Sequence, residues 1–366
     1  MKYYSLDKIL SKHCKYNMVF GERSNGKTYA VLEYALKHYI KTGGQLAIIR
    51  RWREDFRGVR GSQMFESLCK NGNGDNVVKK LTKGKYDTIH YWSGRWYLAN
   101  YDADLDKKIP ASQPFAIGFA LTEMEHTKST SYPDVDIVLF DEFLTRNNYL
   151  PDEFVLFMNT LSTIIRDRNN VQIFMLANTV NKFCPYFAEM GLKNIQKMKK
   201  GDIDIYKYGD SGLSVAVEYA DNLNKIKPSS VYFAFDNSKL KMITSGEWEL
   251  AIYPHNKRKY TKKDIAFTYF IVFESNLLQC DIVSLDDDIF TFIHKKTTDI
   301  KDTENDLIFD IEYHQQLNYR RNIAKPFDNI GKRVFWFFQA DKVYYQDNEI
   351  GDLVNNYINW RKTAVR

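Results

Sequence analysis

Cysteine is scarce in this chain of 366 residues, which has four of them and no C-x-x-C pair. Zinc ribbons and disulfide scaffolds need closely spaced cysteines, so both are excluded and a reducing compartment is expected. Long apolar runs are lacking too, because stretches such as Ile265 to Phe273 are far shorter than the roughly 20 residues of a membrane-spanning helix. The first residues, MKYYSLDKIL, contain no apolar h-region, so we expect neither secretion nor a membrane segment.

The remaining composition is that of a globular chain. Apolar residues make up 44% of it, which is enough for a buried core and argues against wholesale disorder. The net charge is +6, a mild surplus that permits a polyanionic partner without requiring one. At about 150 residues per domain, the length predicts two domains.

Residues 1–200 alternate short β-rich runs with helical patterns, which predicts an α/β domain built on a parallel sheet. Residues 70–110 interrupt this alternation with glycines and alternating aromatic residues, so we expect an inserted antiparallel hairpin there. The predicted strands cover residues 17–20, 45–49, 115–121, 136–140 and 171–177, and the predicted helices cover residues 28–41 and 152–165.

The chain changes character after residue 200. Residues 201–228 are polar and are predicted to be a linker between the two domains. Residues 229–366 have a strand-rich pattern followed by two helical stretches, near 308–323 and 353–360, which predicts a smaller α+β domain. The strands of this domain are predicted at residues 231–235, 239–243, 248–253 and 266–273.

The strongest motif is GERSNGKT, residues 21–28, which fits the pattern G-x-x-x-x-G-K-[ST] completely. Such a loop turns backbone N–H groups toward phosphate oxygens, and the helix that follows adds its partial positive charge. The lysine would reach the β- and γ-phosphates of ATP, and the threonine hydroxyl would bind Mg²⁺. A predicted strand before the loop and a predicted helix after it fit this role. The predicted nucleotide-binding residues are Gly21, Ser24, Asn25, Gly26, Lys27 and Thr28.

A second motif, VDIVLFDE, covers residues 135–142. An apolar strand would deliver Asp141 to the carboxyl edge of the sheet, where ligands bind in doubly wound folds. We expect Asp141 to hold Mg²⁺ with Thr28, and Glu142 to orient and deprotonate a water for attack on the γ-phosphate. The alternative is an ordinary acidic turn at the end of a strand, which the loop upstream makes the weaker interpretation.

Two further features fit a hydrolysing motor. Asn178 and Thr179 end the predicted strand 171–177 and could sense the γ-phosphate, although a turn cap is an alternative. Arg166 and Arg168 follow the predicted helix, and in a ring one of them could act on the neighbouring subunit's phosphate as an arginine finger. A solvated basic pair is the alternative for these two.

Taken together, these residues resemble the DNA-packaging motor ATPases of phi29-like tailed phages. The resemblance is carried by the loop with arginine at its third position, IIRRW, VLFDEF, TIIRDRNNV running into MLANT, and Pro185 to Phe187. It implies a P-loop NTPase of the additional-strand, catalytic-glutamate class that uses ATP and Mg²⁺. It also implies a homomeric ring, typically a pentamer, which drives double-stranded DNA into a procapsid at the portal vertex in the host cytoplasm.

The resemblance assigns roles by position. Lys27 and Thr28 match the family's Walker A lysine and threonine, and Asp141 with Glu142 match its Walker B aspartate and catalytic glutamate. Arg166 matches the finger that acts on the neighbouring subunit. Two further arginines are matched as well: Arg23 to the packaging-type Walker A arginine, and Arg53 to a basic position implicated in subunit contacts.

The resemblance also implies that the C-terminal domain is a vestigial RNase H-like nuclease. A working two-metal nuclease needs several converging carboxylates, and the candidates are Asp236, Asp281 and Asp286 to Asp288. Candidate contacts to DNA phosphates are the basic loops at 57–60 and 79–85. A nuclease-competent large terminase and a non-motor nucleotide switch are the competing hypotheses, and a structural packaging RNA is left open as a partner.

Overall fold

The structure is a computed structural model that describes residues 4–23, 25–70, 74–126, 130–145, 149–179, 184–221, 253–256 and 258–359. The chain divides into two units, Met1–Glu249 and Leu250–Arg366. No helix in the described ranges is both long enough and apolar enough to cross a membrane.

The first unit consists of helices on both faces of one large sheet. Its helices are α1 (Asp7–Leu10), α2 (Lys27–Thr42), α3 (Gly58–Gln63), α4 (Glu66–Cys69), α5 (Val77–Leu81), α6 (Glu153–Ile165) and α7 (Pro185–Glu189). Its strands are β1 (Tyr16–Gly21), β2 (Gln45–Arg50), β3 (Thr88–Trp92), β4 (Arg95–Asp102), β5 (Lys107–Pro110), β6 (Ala116–Ala120), β7 (Val135–Asp141), β8 (Gln172–Asn178), β9 (Ile203–Tyr208) and β10 (Leu213–Ala220).

The sheet of the first unit is mixed, with a parallel centre and antiparallel edges. Its strand order is β3-β4-β6-β2-β7-β8-β1-β10-β9, and β5 pairs with β4. The strands from β6 to β10 in this order run parallel, whereas β4 and β9 are antiparallel to their neighbours. β8 therefore lies between β1, which enters the phosphate-binding loop, and β7, which ends at Asp141.

The central strands are buried along most of their length and are mainly apolar, because both faces of the sheet are covered. In β1, Met18 and Phe20 join the core on the face of α6 and α7, while Val19 joins the core on the face of α2. α2 contributes Val31, Leu32, Ala35 and Leu36 to its core, at the spacing of one helix face. β1 is therefore packed from both sides up to Gly21, where the loop begins.

Most of the predicted elements of the first unit are found within one or two residues of their expected bounds, and the insertion contains the predicted hairpin as β3 and β4. The predicted linker is the exception, because residues 203–208 and 213–220 form β9 and β10. β10 pairs in parallel with β1, and β9 pairs with β10. Residues 201–212 are polar because β9 lies at the edge of the sheet, and this polarity is typical of a connector, whereas residues 215–220 of β10 are buried.

The second unit is an α+β arrangement around a six-stranded sheet of order β15-β14-β11-β12-β13-β16. β11, β12 and β13 form an antiparallel meander, and β14 and β16 run parallel to β11 and β13. Its strands are β11 (Ile265–Phe273), β12 (Asn276–Leu285), β13 (Asp288–Lys295), β14 (Leu307–Asp310), β15 (Tyr319–Arg320) and β16 (Val343–Tyr345). Its helices are α8 (Asn329–Gln339) and α9 (Asn348–Asn359).

The second unit confirms the predicted strand at 266–273 and the predicted helix near 353–360, but not the helix predicted near 308–323. That segment contains the buried strand β14 and the short β15 instead. A short apolar run fits a helix and a buried strand equally well, and here pairing with β11 decides in favour of the strand. The predicted strands between residues 231 and 252, and Asp236, lie outside the described residues.

Candidate nucleotide-binding and hydrolysis site

The phosphate-binding loop connects β1 to α2 at the carboxyl edge of the sheet. Gly26, the residue before α2, has φ of +91°, a left-handed conformation that side chains with a Cβ disfavour. A Cβ on Gly21 would stand 2.9 Å from the carbonyl oxygen of Ala220 in β10. The two glycines of the motif are therefore required by the backbone itself. Ser24 lies outside the described residues.

Lys27 is the first residue of α2 and is buried with its ammonium inside the loop. Its Nζ donates hydrogen bonds to the carbonyl oxygen of Glu22 at 2.6 Å and to Oδ1 of Asn25 at 3.0 Å. Burial lowers the pKa of Lys27 to about 8, and the nearby charges of Asp141 and Glu22 only partly oppose this. Asn25 Nδ2 is buried without a hydrogen-bond partner, so a donor remains for a phosphate oxygen.

Thr28 and Asp141 bring together the oxygens that a magnesium ion prefers. Thr28 Oγ1 lies 3.3 and 3.4 Å from the two carboxylate oxygens of Asp141. Mg²⁺ typically takes one or two carboxylates together with phosphate oxygens and water, so this donor set fits the ion. Within the described ranges, no group of three or more His, Cys, Asp or Glu side chains forms a separate metal site.

Arg50, the last residue of β2, bridges the two acidic residues of the site. Its Nη2 lies 2.8 Å from Oδ2 of Asp141, and its Nη1 lies 2.7 Å from Oε2 of Glu142. Burial opposes the charge of Arg50, but the two carboxylates outweigh it and raise its pKa. Burial disfavours the charged form of Asp141 as well and therefore raises its pKa. The neighbouring charge of Arg50 is the strongest influence that lowers this pKa.

Glu142 follows β7 with φ of +62°, which is uncommon for a residue other than glycine. Its side chain is 62% exposed, whereas that of Asp141 is 9% exposed, so the two adjacent carboxylates lie in different environments. Seven of the predicted residues line one cavity of about 200 Å³. Its lining includes Asn25, Gly26, Lys27, Thr28, Asp141, Glu142 and Asn178.

Asn178 is the last residue of β8 and lies beside Gly21 in the register of β1 and β8. The N–H of Thr179 donates to the carbonyl oxygen of Gly21 at 3.1 Å. The end of β8 is therefore attached to the start of the loop, and Asn178 lies between the phosphate-binding strand and the strand of Asp141.

Arg166 and Arg168 lie near the start of β7, at the amino ends of the parallel strands, whereas the cavity lies at their carboxyl ends. α6 starts near the end of β7 and runs back, so residues 166–168 come close to the start of β7, about 20 Å from Asp141. Arg168 donates to five backbone carbonyls, including those of Val135 and Tyr132, and it stabilises this corner of the fold. Arg166 is exposed, and its Nη2 donates to the carbonyl oxygen of Thr130 at 3.2 Å. Neither guanidinium reaches the cavity of its own subunit, and the contacts of Arg168 make it the poorer candidate for a finger.

The other predicted basic residues lie at the surface of the first unit. Arg23 is exposed in the loop, and Arg53 pairs with Glu123. The arginines of the segment 57–60 and the lysines of the segment 79–85 are exposed as well. These positions agree with contacts to a partner and equally with solvation, so their roles stay predictions.

Two of the candidate carboxylates of the second unit, Asp281 and Asp288, have protein partners. Asp281 is buried and accepts hydrogen bonds from Tyr260, Thr268, Gln279 and His294. Asp288 pairs with Arg258 and Lys342.

Sequence reasoning missed Arg50 and its neighbour Arg51 as parts of the site. Their only signal in the sequence is the placement of two arginines at the end of an apolar strand parallel to β7. Parallel strands of one sheet end at the same edge, so side chains following β2 and β7 are expected to meet.

The fold and the site together define an α/β protein with a phosphate-binding loop and a strand-end acidic pair at one edge of a mixed sheet. The model of the Podovirus DNA encapsidation protein (Gp16) family matches residues 1–225. The chain belongs to this family.

The DNA packaging proteins of Bacillus phage PZA and Bacillus phage phi29 are each 30% identical to this chain over 193 residues. The match covers 52% of this chain and 50% of each relative, so the chain spans about half the length of the curated relatives it matches.

Two solved structures resemble the chain over nearly its full length. The Phi-28 gp11 DNA packaging motor has a TM-score of 0.54 and 18% identity, and the match covers 99% of each chain. The bacteriophage Phi-29 viral genome packaging motor assembly has a TM-score of 0.56 and 19% identity, and the match covers 97% of this chain and 98% of that one. At these identities the likeness shows the fold.

Proposed function

We propose that this chain is an ATP-hydrolysing motor that moves double-stranded viral DNA into a procapsid. The observation that carries the proposal is the meeting of Lys27, Thr28, Asp141 and Glu142 at one cavity, at the edge of the sheet where such folds bind nucleotide. Membership of the DNA encapsidation family supports the proposal that ATP hydrolysis drives the movement of DNA into the capsid.

The buried side chains of the loop have a binding role in this proposal. Lys27 would exchange its hydrogen bonds with Glu22 and Asn25 for the β- and γ-phosphates, and Thr28 with Asp141 would hold Mg²⁺. The metal neutralises charge on the phosphates when it is bound. The order of the strands, with β8 between β1 and β7, supports the additional-strand, catalytic-glutamate subclass.

Glu142 is the proposed general base for the attacking water. Its exposed carboxylate can reach solvent, and the adjacent Asp141 is held in the interior by Thr28 and Arg50. Arg50 Nη1 contacts Oε2 of Glu142 at 2.7 Å, so this guanidinium lies directly beside the proposed base.

A homomeric ring at the portal vertex is proposed as the working form, with five subunits implied by the resemblance. Arg166 lies at the edge of the sheet opposite its own cavity, so it can serve a phosphate only in another subunit. This placement supports its proposed role as a finger acting in trans. The exposed basic segments 57–60 and 79–85 are proposed contacts to DNA phosphates, and a structural packaging RNA stays open as a partner.

The second unit is proposed to be the vestigial nuclease-like domain that the resemblance implies. Its described carboxylates support this, because Asp281 and Asp288 are both engaged by neighbouring side chains. We place the chain in the host cytoplasm and, during packaging, at the procapsid portal.

The decisive experiment measures ATP hydrolysis and DNA packaging together. Purified protein is assayed for ATPase activity alone, with double-stranded DNA, and with DNA and procapsids, and packaged DNA is scored by protection from nuclease. Asp141→Asn should abolish both activities, while Asp134→Asn, which changes an exposed aspartate before β7, should preserve them. Slow ATP hydrolysis that neither DNA nor procapsids stimulate would favour the nucleotide-switch hypothesis. Metal-dependent cleavage of plasmid DNA would favour a nuclease-competent large terminase.

A further inference from the structure

Beneath the candidate site lies a buried ion pair that the proposed function does not use. Arg51 lies just after β2, and Glu153 is the first residue of α6. Arg51 Nε and Nη2 each lie 2.7 Å from a carboxylate oxygen of Glu153. The side chain of Glu153 is 0% exposed and that of Arg51 is 8% exposed, so the pair is shielded from water.

The guanidinium of Arg51 also reaches the backbone that carries the proposed base. Its Nη2 donates to the carbonyl oxygen of Phe143 at 3.0 Å, and its Nη1 donates to that of Glu142 at 3.3 Å. Arg50 therefore contacts the carboxylate of Glu142 from one side of the chain, while Arg51 contacts the peptide groups behind it.

The backbone of Glu142 needs such support. A φ of +62° is disfavoured for a residue with a Cβ, and it persists only where the surrounding structure holds it. The same turn directs the carboxylate toward the cavity that it lines. A relaxed turn would displace the carboxylate, and catalysis by a positioned group is sensitive to shifts of about 1 Å.

Glu153 in turn is held in place from two further directions. It accepts hydrogen bonds from the hydroxyl of Tyr186 in α7 and from the N–H of Leu150, each at 2.8 Å. Arg51 also stacks over the ring of Tyr149 at 5.3 Å. The orientation of Arg51 is thus fixed by α6, α7 and the loop before α6, as expected of a support with a single geometry.

We infer that Arg51 and Glu153 are positioning residues for ATP hydrolysis, which hold the turn at residues 142–143 so that Glu142 faces the γ-phosphate. The inference rests on the proposed function. Neither Arg51 nor Glu153 lines the cavity or belongs to the phosphate-binding loop, so the pair acts on turnover through Glu142 and leaves nucleotide affinity unchanged.

Two variants separate positioning from a contribution to stability alone. Arg51→Lys keeps the positive charge beside Glu153 but loses the planar fork that reaches two carboxylate and two carbonyl oxygens. The double variant Arg51→Met/Glu153→Gln removes both charges, so no unpaired charge is buried, and the single amide oxygen of the glutamine can still accept from one of the two donors, Tyr186 or Leu150. Leu36→Ala, a cavity variant in the buried face of α2, is the control for general destabilisation.

The full-length variants are assayed for ATP turnover, for the Kd of a fluorescent ATP analogue and for the midpoint of thermal unfolding. We expect kcat to fall about 10- to 100-fold in both pair variants, with the Kd within about threefold of wild type. Leu36→Ala should lower the unfolding midpoint while keeping kcat.

Three results would overturn the inference: wild-type kcat in both pair variants, an equal loss of kcat in Leu36→Ala, or failure of both pair variants to fold. The last result would show a structural role only. A wild-type protein without ATPase activity would instead refute the proposed function, so the two failures are distinguishable.

Discussion

The buried lysine of the phosphate-binding loop predicts that ATP affinity depends on pH in a defined window. Burial holds the pKa of Lys27 at about 8 in the nucleotide-free protein. Bound phosphates place negative charge against the ammonium, which favours its protonated form and raises this pKa again. ATP therefore binds the protonated lysine, and above pH 8 binding has to be accompanied by uptake of a proton.

The magnitude follows from that pKa. The affinity for ATP is highest well below pH 8. It falls as pH rises through 8, because Lys27 must first be protonated in a growing fraction of the protein. The apparent Kd should rise about twofold at pH 8 and about tenfold at pH 9, relative to its value at low pH. At pH 8.5, binding should take up about 0.8 proton per site.

The assay is titration with a fluorescent ATP analogue between pH 7.5 and 9.5 at constant ionic strength. Phosphate groups are fully ionised in this range, since their second ionisation lies at about pH 6. Calorimetry in two buffers of different ionisation enthalpy measures the proton uptake directly. Lys27→Arg is the matched control, because a guanidinium stays charged throughout and its variant should show a flat profile.

A wild-type Kd that is constant from pH 7.5 to 9.5 would refute the reasoning, as would the same slope in Lys27→Arg. The first result would mean that Lys27 is protonated over the whole range despite its burial. The second would assign the titration to another group.

Four further predictions concern the rest of the site and the second unit. Glu142→Gln should keep ATP binding but lower kcat by about 10²- to 10⁴-fold, because a general base is lost, and a steady-state ATPase assay measures this. Arg50→Met should raise the pKa of Asp141 further, because its strongest charge-stabilising neighbour is removed. The acid limb of the ATPase pH profile should therefore move to higher pH. Arg166→Ala should bind ATP without hydrolysing it, and mixing it with Glu142→Gln subunits should restore part of the activity through mixed interfaces. Residues 250–366, expressed as a fragment, should not cut plasmid DNA in the presence of Mn²⁺.

Each of these predictions has an outcome that would contradict it. Normal turnover in Glu142→Gln would move the base elsewhere, and an unchanged acid limb in Arg50→Met would deny the influence of Arg50 on Asp141. Mixed subunits without activity would indicate that Arg166 acts within its own subunit or not at all. Cleavage by the fragment would favour the terminase hypothesis.

The sequence by itself determined the features that depend on neighbouring residues. The loop at 21–28 and the acidic end of β7 are local patterns, and apolar runs located the central strands, since a strand buried on both faces has few polar residues. The spacing of α2 was equally readable, because one turn of helix repeats within four residues. These elements can therefore be predicted from local sequence patterns, without knowledge of contacts to distant residues.

Only the tertiary structure decided what depends on distant partners. β10 pairs with β1, nearly 200 residues away, and this pairing made strands of a segment that looked like a linker. β14 is a strand because β11 lies beside it. Arg50 belongs to the site because it contacts Asp141, and Arg51 is held in place because it contacts Glu153. An arginine after a strand indicates only that its side chain lies at the carboxyl edge of the sheet. Which carboxylate it contacts is set by the order of the strands in the sheet.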